Sequence, residues 1–197
     1  MYQFLRAVIG FGVRLWFKFE VVNLPEIDPN KKLIVCANHF SMRDILAIAT
    51  AYPYKLHFVA KKELKKLKII SWIFEKLGVI FIDRSANDID AMRKIMAVLK
   101  EDQMIGIFPE GTRVKSIDPK NMKVGVGFIS YRAKSDVLCA QIQTDYKFRK
   151  PLNVVFRDII KYENYAEMEA KDARIKMAAD IFNSIYQTNY SVEEFEK

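Results

Sequence analysis

Residues 33–44 have the sequence Leu-Ile-Val-Cys-Ala-Asn-His-Phe-Ser-Met-Arg-Asp. The first five of them, Leu33 to Ala37, form a continuous apolar run, which is typical of a strand covered on both faces of a sheet. Asp44 then opens a segment that we expect to be helical up to Ala51. A strand buried on both faces and followed by a helix indicates an α/β fold, because helices cover both faces of a parallel sheet.

The same alternation of strands and helices continues along the rest of the chain. Strands are predicted at 19–24, 56–60, 79–82, 104–108, 137–142 and 152–156, and helices at 61–77, 88–100, 125–133 and 166–186. Gly78 is expected to end the helix before it. The predicted fold class is therefore α/β, with a mixed, largely parallel sheet flanked by helices. In such sheets the chemistry gathers beyond the strand ends.

The first 20 residues form a separate, amphipathic segment. Residues 4–19 are mostly apolar, but Arg6, Arg14 and Lys18 interrupt them, so no uncharged run reaches the roughly 20 residues of a spanning helix. At helical spacing these three cations lie on one side. The opposite side carries Leu5, Val8, Ile9, Leu15 and Trp16. We expect residues 1–20 to form a helix on a membrane surface, followed by a single domain over 21–197. The alternative is a helix packed on the protein's own core.

The composition limits the partners. A net charge of +8 calls for an anionic partner, either nucleic acid or a phospholipid surface, and the 13% aromatic content favours an interface that is also apolar. The basic residues alternate with bulky apolar ones and no nucleic-acid motif occurs, so nucleic acid is disfavoured. Two cysteines and two histidines are too few for a metal site, and none is predicted. Cys36 and Cys139 are expected to be buried thiols of a reduced, cytoplasmic protein.

The two histidines of the sequence are the candidates for a general base. His57 lies inside a predicted strand and is interpreted as a packing residue, whereas His39 lies at a strand-to-helix junction, five residues before Asp44. If Ser41 caps the helix, Asp44 lies in the first turn, where the helix dipole keeps it ionised. The carboxylate could then hold Nδ1 and leave Nε2 free to accept a hydroxyl proton. Backbone amides at the helix start are expected to form an oxyanion site.

A second polar cluster, residues 108–113, follows the strand predicted at 104–108. Thr112 and Arg113 can donate hydrogen bonds to an anion, and a guanidinium matches phosphate bidentately. Gly111 lets the backbone approach a ligand closely. Glu110 can orient a cation or accept a hydrogen bond from a ligand hydroxyl. The alternative is a plain β-turn.

Two further cationic positions are candidates for ligand contacts. Arg84 follows the strand at 79–82 and either binds phosphate or pairs with the neighbouring Asp83. Lys61 begins a basic run over 61–68. That run is either a solvated face or, beside Trp72, a contact for lipid headgroups.

Four motifs occur in order along the chain. They are Asn38-His39-x-x-x-x-Asp44, Lys61-x-Glu63-Leu64, Gly78-x-Ile80-x-Ile82-Asp83-Arg84 and Phe108-Pro109-Glu110-Gly111-Thr112-Arg113. From about residue 33 to residue 140, the chain resembles the 1-acylglycerol-3-phosphate acyltransferases through these four signature blocks. The resemblance implies transfer of a fatty acyl group to the sn-2 hydroxyl of 1-acylglycerol-3-phosphate, giving phosphatidate. The donor would be a thioester of coenzyme A or of acyl carrier protein, with no cofactor.

The resemblance also implies roles for individual residues. His39 would be the base and Asp44 its partner. The acceptor and its phosphate would be bound by Arg84, Glu110, Gly111, Thr112, Arg113 and Lys61. The implied partners are a lysophospholipid, the acyl thioester, acyl carrier protein where it carries the donor, and an anionic membrane surface on the cytoplasmic side, where the protein would be peripheral.

Two alternatives to acyl transfer onto 1-acylglycerol-3-phosphate are also compatible with the sequence. Within the same class, the acceptor could be glycerol-3-phosphate, another lysophospholipid or an amino-lipid. Outside it, the chain could be a basic module that binds nucleic acid or lipid without catalysis.

Overall fold

A computed structural model of the protein describes residues 1–62, 68–82 and 89–196. Within these ranges the chain forms six α-helices and seven strands. The helices are α1 (Tyr2–Trp16), α2 (Asp44–Ala51), α3 (Lys68–Lys76), α4 (Ile89–Lys100), α5 (Gly125–Ala133) and α6 (Ala170–Tyr186). The strands are β1 (Lys18–Val22), β2 (Leu33–Ala37), β3 (Leu56–Lys61), β4 (Ile80–Ile82), β5 (Met104–Ile107), β6 (Val137–Thr144) and β7 (Pro151–Ile160).

The seven strands form one sheet in the order β1-β7-β6-β2-β5-β3-β4. Every neighbouring pair is parallel except β6 and β7, which are antiparallel. Strands β2 to β6 therefore run in one direction, and β1 and β7 run against them. The predicted mixed, largely parallel sheet flanked by helices is confirmed. Because β2, β3, β4 and β5 are parallel, the loops that follow them leave from the same edge of the sheet.

Strand β2 occupies the centre of the sheet, and all five of its residues are buried. Its side chains alternate between two apolar clusters, with Val35 and Ala37 in one cluster and Ile34 and Cys36 in the other. This alternation explains why the strand is apolar throughout: it has no face turned to water.

Helices cover the two faces of the sheet separately. On the face of Val35, α1 and α2 contribute buried residues to the core, and on the face of Ile34, α4, α5 and α6 do so. The contact between α5 and α6 depends on Gly127, because a Cβ there would lie 2.1 Å from the carbonyl oxygen of Arg174. A larger side chain would push the two helices apart.

Several predicted boundaries change for identifiable reasons. Helices α2 and α5 have the predicted bounds, but α1 ends at Trp16 because Lys18 begins β1 and pairs with Pro151 of β7. The predicted stripe of three cations is therefore wrong: Lys18 is not on the helix. Helix α6 begins at Ala170 rather than at 166, since residues 162–165 form a separate 3-10 turn.

Helix α1 has two apolar faces. One face carries Leu5, Ile9 and the buried Val13, which pack on the core, and Arg6 Nε donates to Ala49 O of α2 at 3.2 Å. The other face is open to solvent. It consists of Phe4, Val8, Phe11 and Leu15, exposed by 69%, 54%, 71% and 57%. The helix thus packs on the protein and also presents an apolar stripe outward. Among the described helices, none is both long and apolar enough to cross a membrane.

Candidate active site

His39 and Asp44 form a hydrogen-bonded pair at the edge of the sheet where β2 ends. His39 lies two residues after β2, and Asp44 is the first residue of α2. The His39 Nδ1 and Asp44 Oδ2 atoms are 2.9 Å apart, with side-chain exposures of 12% and 1%. The five-residue spacing therefore brings the two side chains together as the sequence predicted.

The Asp44 carboxylate accepts hydrogen bonds from three other donors. The backbone N–H groups of Phe40 and Ser41 both donate to Oδ2 at 2.7 Å, and the Tyr146 hydroxyl donates to Oδ1. These donors offset the loss of solvation of the buried carboxyl group.

One expectation about this loop is wrong, and a second loses two of its candidate amides. Ser41 does not cap α2: the residue before the helix is Arg43, whose backbone N–H donates to Ser41 Oγ at 3.2 Å, and the Asp44 side chain itself reaches back to the loop. The amides of Phe40 and Ser41 are not available to the predicted oxyanion site, because both already donate to Asp44. An amide committed to a buried carboxylate is not available to a developing negative charge.

The ring of His39 is held on a second side by an aromatic stack. Its centroid lies 4.3 Å from that of Phe108, with 18° between the planes, and Phe108 in turn faces Phe58 at 6.3 Å. The His39 carbonyl accepts from the Val114 amide at 2.9 Å, which ties the loop after β2 to the loop after β5. Within the described residues, no hydrogen-bond partner occupies Nε2. The ring is therefore fixed with that nitrogen free to accept a proton.

Glu110 lies in the turn that follows β5. The Gly111 amide donates to Phe108 O at 3.0 Å, and Gly111 has a φ of +69°, a conformation that glycine adopts without strain. The Glu110 side chain is turned inward and is 1% exposed. Its Oε1 accepts from the Tyr186 hydroxyl at 2.5 Å, whereas Oε2 has no hydrogen-bond partner among the described residues.

Burial sets the electrostatics of these polar groups. Loss of solvation raises the pKa of Glu110, and the Tyr186 hydrogen bond and nearby His39 only partly oppose this. Burial, and then the adjacent carboxylates, also raise the pKa of Tyr146 and of Tyr186. Both phenols therefore stay protonated and act as donors at neutral pH.

The remaining predicted ligand residues lie around this centre or outside the described ranges. Thr112 and Arg113 are exposed at the surface beside Glu110. Lys61 is the last residue of β3 and lies at the same edge of the sheet as His39. Its side chain is not among those that the structure describes. Arg84 lies outside the described residues.

The second histidine, His57, is partly buried within the sheet. His57 lies in β3, and its Nδ1 is 2.8 Å from Gly78 O. Burial lowers its pKa, so the ring stays neutral. Among the described residues, no group of three or more His, Cys, Asp or Glu side chains could hold a metal ion.

The sequence interpretation missed two residues of the site, Tyr146 and Tyr186. They lie 102 and 76 residues from the carboxylates they bind, in the β6–β7 loop and at the end of α6. No local pattern marks them, because their position depends on how distant elements pack.

An open groove of about 330 Å³ lies between α1 and α2 and reaches Tyr146, the residue whose hydroxyl binds Asp44. Its lining is largely apolar and includes Val8, Trp16, Leu46 and Tyr146, with Arg43 as the charged residue. Tyr146 thus lines the groove with its ring and binds Asp44 with its hydroxyl.

Comparison with known proteins gives the class to which this fold belongs. The family model described as Acyltransferase matches residues 18–143, so the chain belongs to the acyltransferase family. The predicted resemblance to this family is confirmed.

Individual relatives agree with the family model. An uncharacterised acyltransferase of Schizosaccharomyces pombe is 31% identical over 164 residues, covering 78% of this chain and 58% of that protein. The 1-acyl-sn-glycerol-3-phosphate acyltransferase of Bacillus subtilis is 26% identical over 144 residues, covering 73% of this chain and 71% of that protein. The chain therefore spans less than two thirds of the first of these relatives.

A solved structure has the same fold. The crystal structure of the 1-acyl-sn-glycerophosphate (LPA) acyltransferase PlsC from Thermotoga maritima superposes with a TM-score of 0.70 at 22% sequence identity. The match covers 96% of this chain and 81% of that one. At this identity the likeness shows the fold.

Proposed function

We propose that this protein transfers a fatty acyl group from a thioester of coenzyme A or acyl carrier protein to the sn-2 hydroxyl of 1-acylglycerol-3-phosphate, forming phosphatidate. The observation that carries the proposal is the 2.9 Å contact between His39 Nδ1 and the buried Asp44 carboxylate. The relatives named for this activity support the choice of acceptor.

The pair supplies general base catalysis in this scheme. His39 Nε2 removes the proton of the acceptor hydroxyl while the oxygen attacks the thioester carbonyl, and Asp44 stabilises the resulting imidazolium. The carbon–sulfur bond then breaks, and the imidazolium returns the proton to the thiolate. The acyl group passes directly from sulfur to oxygen, so no covalent enzyme intermediate forms.

Binding of the acceptor is assigned to the residues around Glu110. We infer that Thr112 and Arg113, which are exposed beside the site, bind the acceptor phosphate. Arg84 and Lys61 bind the same phosphate. Glu110 and Gly111 shape the turn that presents Thr112 and Arg113. The apolar groove between α1 and α2 is suited to a fatty acyl chain, since its lining is mostly hydrocarbon.

The outward stripe of α1 supports binding to a membrane surface. Its four exposed apolar residues lie on one face, and Trp16 packs edge-on against Phe148 of the β6–β7 loop at 4.9 Å. Phe148 is 59% exposed and is flanked by the exposed Lys147, Arg149 and Lys150. Apolar side chains surrounded by cations match the interface of an anionic bilayer.

The activity is tested by assaying the purified protein on a panel of acceptors with each type of donor. We expect lysophosphatidate to give phosphatidate with release of one thiol per product. Transfer to glycerol-3-phosphate or to a lysolipid without phosphate, and not to lysophosphatidate, would replace the proposed acceptor. An absence of thiol release with every pair would contradict the proposal.

Phosphate recognition is tested with Arg113→Ala. The variant is expected to lose activity mainly through a higher KM for phosphate-bearing acceptors, whereas Arg132→Ala, a similarly exposed arginine on α5, is expected to change nothing. Equal behaviour of the two variants would remove Arg113 from the acceptor site.

A further inference from the structure

Tyr146 is held in the site by contacts on every part of the residue. Its backbone adopts a left-handed conformation with a φ of +57°, and its N–H donates to Thr144 Oγ1 at 3.0 Å. Its carbonyl accepts from Arg43 Nη1 at 3.1 Å, and its ring meets the edge of Phe17 at 5.8 Å. These contacts fix Tyr146 in its loop, and its hydroxyl donates to the Oδ1 atom of Asp44.

The donors around Asp44 divide between its two oxygens. Oδ2 receives His39 Nδ1 and the amides of Phe40 and Ser41, while Oδ1 receives the Tyr146 hydroxyl and no second donor from the described residues. The phenol thereby fixes the rotation of the carboxylate about its terminal bond and withdraws part of its charge.

We propose that Tyr146 is a positioning residue of the catalytic pair, which acts through Asp44 to set the direction and the proton affinity of the His39 ring. The inference rests on the proposed function, and it assigns a role to a side chain outside the four signature motifs. Without the phenol, Oδ1 is a buried, unpaired anionic oxygen. More negative charge then faces the imidazole, and the pair binds its proton more tightly.

Other titratable and charged groups also face the pair in the described structure. They are Glu110 from the β5 turn, Tyr186 from α6 and Arg43 beside the Tyr146 ring. The Tyr146 hydroxyl donates to Asp44 and to none of these groups, so its removal acts on the pair through Asp44.

The test is Tyr146→Phe, which keeps the ring and removes the hydroxyl. Tyr165→Phe is the matched control, because the Tyr165 hydroxyl also donates to an aspartate, Asp180, at 2.6 Å, away from the site. The His39 ring is titrated by NMR, with His57→Asn assigning the signals of the chain's two histidines. The pH profile of kcat/KM is measured in parallel.

We expect Tyr146→Phe to raise the pKa of His39, to move the acid limb of the profile to higher pH and to lower kcat about tenfold with little change in KM. In an Asp44→Asn background the same replacement should have no effect on kcat. Tyr165→Phe should leave the His39 titration in place.

Two results would overturn the inference: an unchanged His39 titration in Tyr146→Phe, or the same loss of kcat with and without Asp44. The NMR titration needs no turnover, so it tests the role of Tyr146 independently of the proposed acyl transfer. A wild-type protein that transfers no acyl group would count against the proposed function instead.

Discussion

Asn38 and Ile142 hold the loop that carries His39 against the neighbouring strand. The Asn38 side chain donates to the Ile142 carbonyl at 3.1 Å and accepts from the Ile142 amide at 2.6 Å, and Asn38 is 1% exposed. A side-chain amide thus continues the pairing of β2 with β6 past Ala37, where the backbone of β2 turns away toward His39.

Removing this bridge is expected to destabilise the fold. Asn38→Ala leaves a buried N–H and a buried C=O of Ile142 unpaired, which should lower the free energy of unfolding by about 2 kcal/mol or more. Urea denaturation measures the change. Asn164→Ala, at an exposed position, serves as the control, and equal stability of the two variants would contradict the role given to Asn38.

Glu110 gives a prediction about pH. Because burial raises its pKa in the folded state above the ordinary value of 4.5, its protonated form favours folding at low pH, and that advantage is lost as pH rises through the raised pKa. Glu110→Gln cannot ionise, so its Tm relative to wild type should increase from pH 4.5 upward. A Tm difference that stays constant with pH would show that the carboxyl is not perturbed.

The Tyr186 hydroxyl is expected to stabilise Glu110. Tyr186→Phe removes the donor of a buried carboxyl and should cost about 1–3 kcal/mol of stability near neutral pH. A double-mutant cycle with Glu110→Gln isolates the pair, and the loss should shrink when residue 110 is uncharged. Additive losses would mean that the Tyr186 hydroxyl stabilises the fold independently of Glu110.

The exposed stripe of α1 predicts the effect of one surface substitution. Phe11→Ser should weaken sedimentation with vesicles containing phosphatidylglycerol about tenfold or more, because it removes a large apolar side chain from the bilayer interface. Phe128→Ser, also at an exposed phenylalanine but on α5 at the opposite face of the sheet, is the control. Parallel losses in both variants would exclude a specific role for α1.

The parts that the sequence predicted are those encoded locally. The apolar run of β2 and the short path from His39 to Asp44 involve neighbours in the chain, so periodicity and spacing were sufficient. The sequence also showed that the N-terminal segment is apolar. It did not show that Leu5 and Ile9 face the core while Phe4 and Phe11 face solvent, because both groups are equally hydrophobic.

The parts that could not be predicted depend on long-range packing. Lys18 leaves the helix because β7, more than 130 residues later, offers a parallel partner to β1. Tyr146 reaches Asp44 only because β6 and β7 form an antiparallel pair whose connecting loop returns to the edge of the sheet. Neither the loop geometry nor the pairing leaves a periodic signal near these residues.

The most direct test of the catalytic pair is the steady-state rate of acyl transfer by His39→Ala and by Asp44→Asn, with His57→Asn as the control. A general base contributes about a hundredfold to ten-thousandfold, so kcat should fall by that factor in both variants while His57→Asn keeps the wild-type rate. Near-normal turnover by His39→Ala and Asp44→Asn would contradict the proposed mechanism.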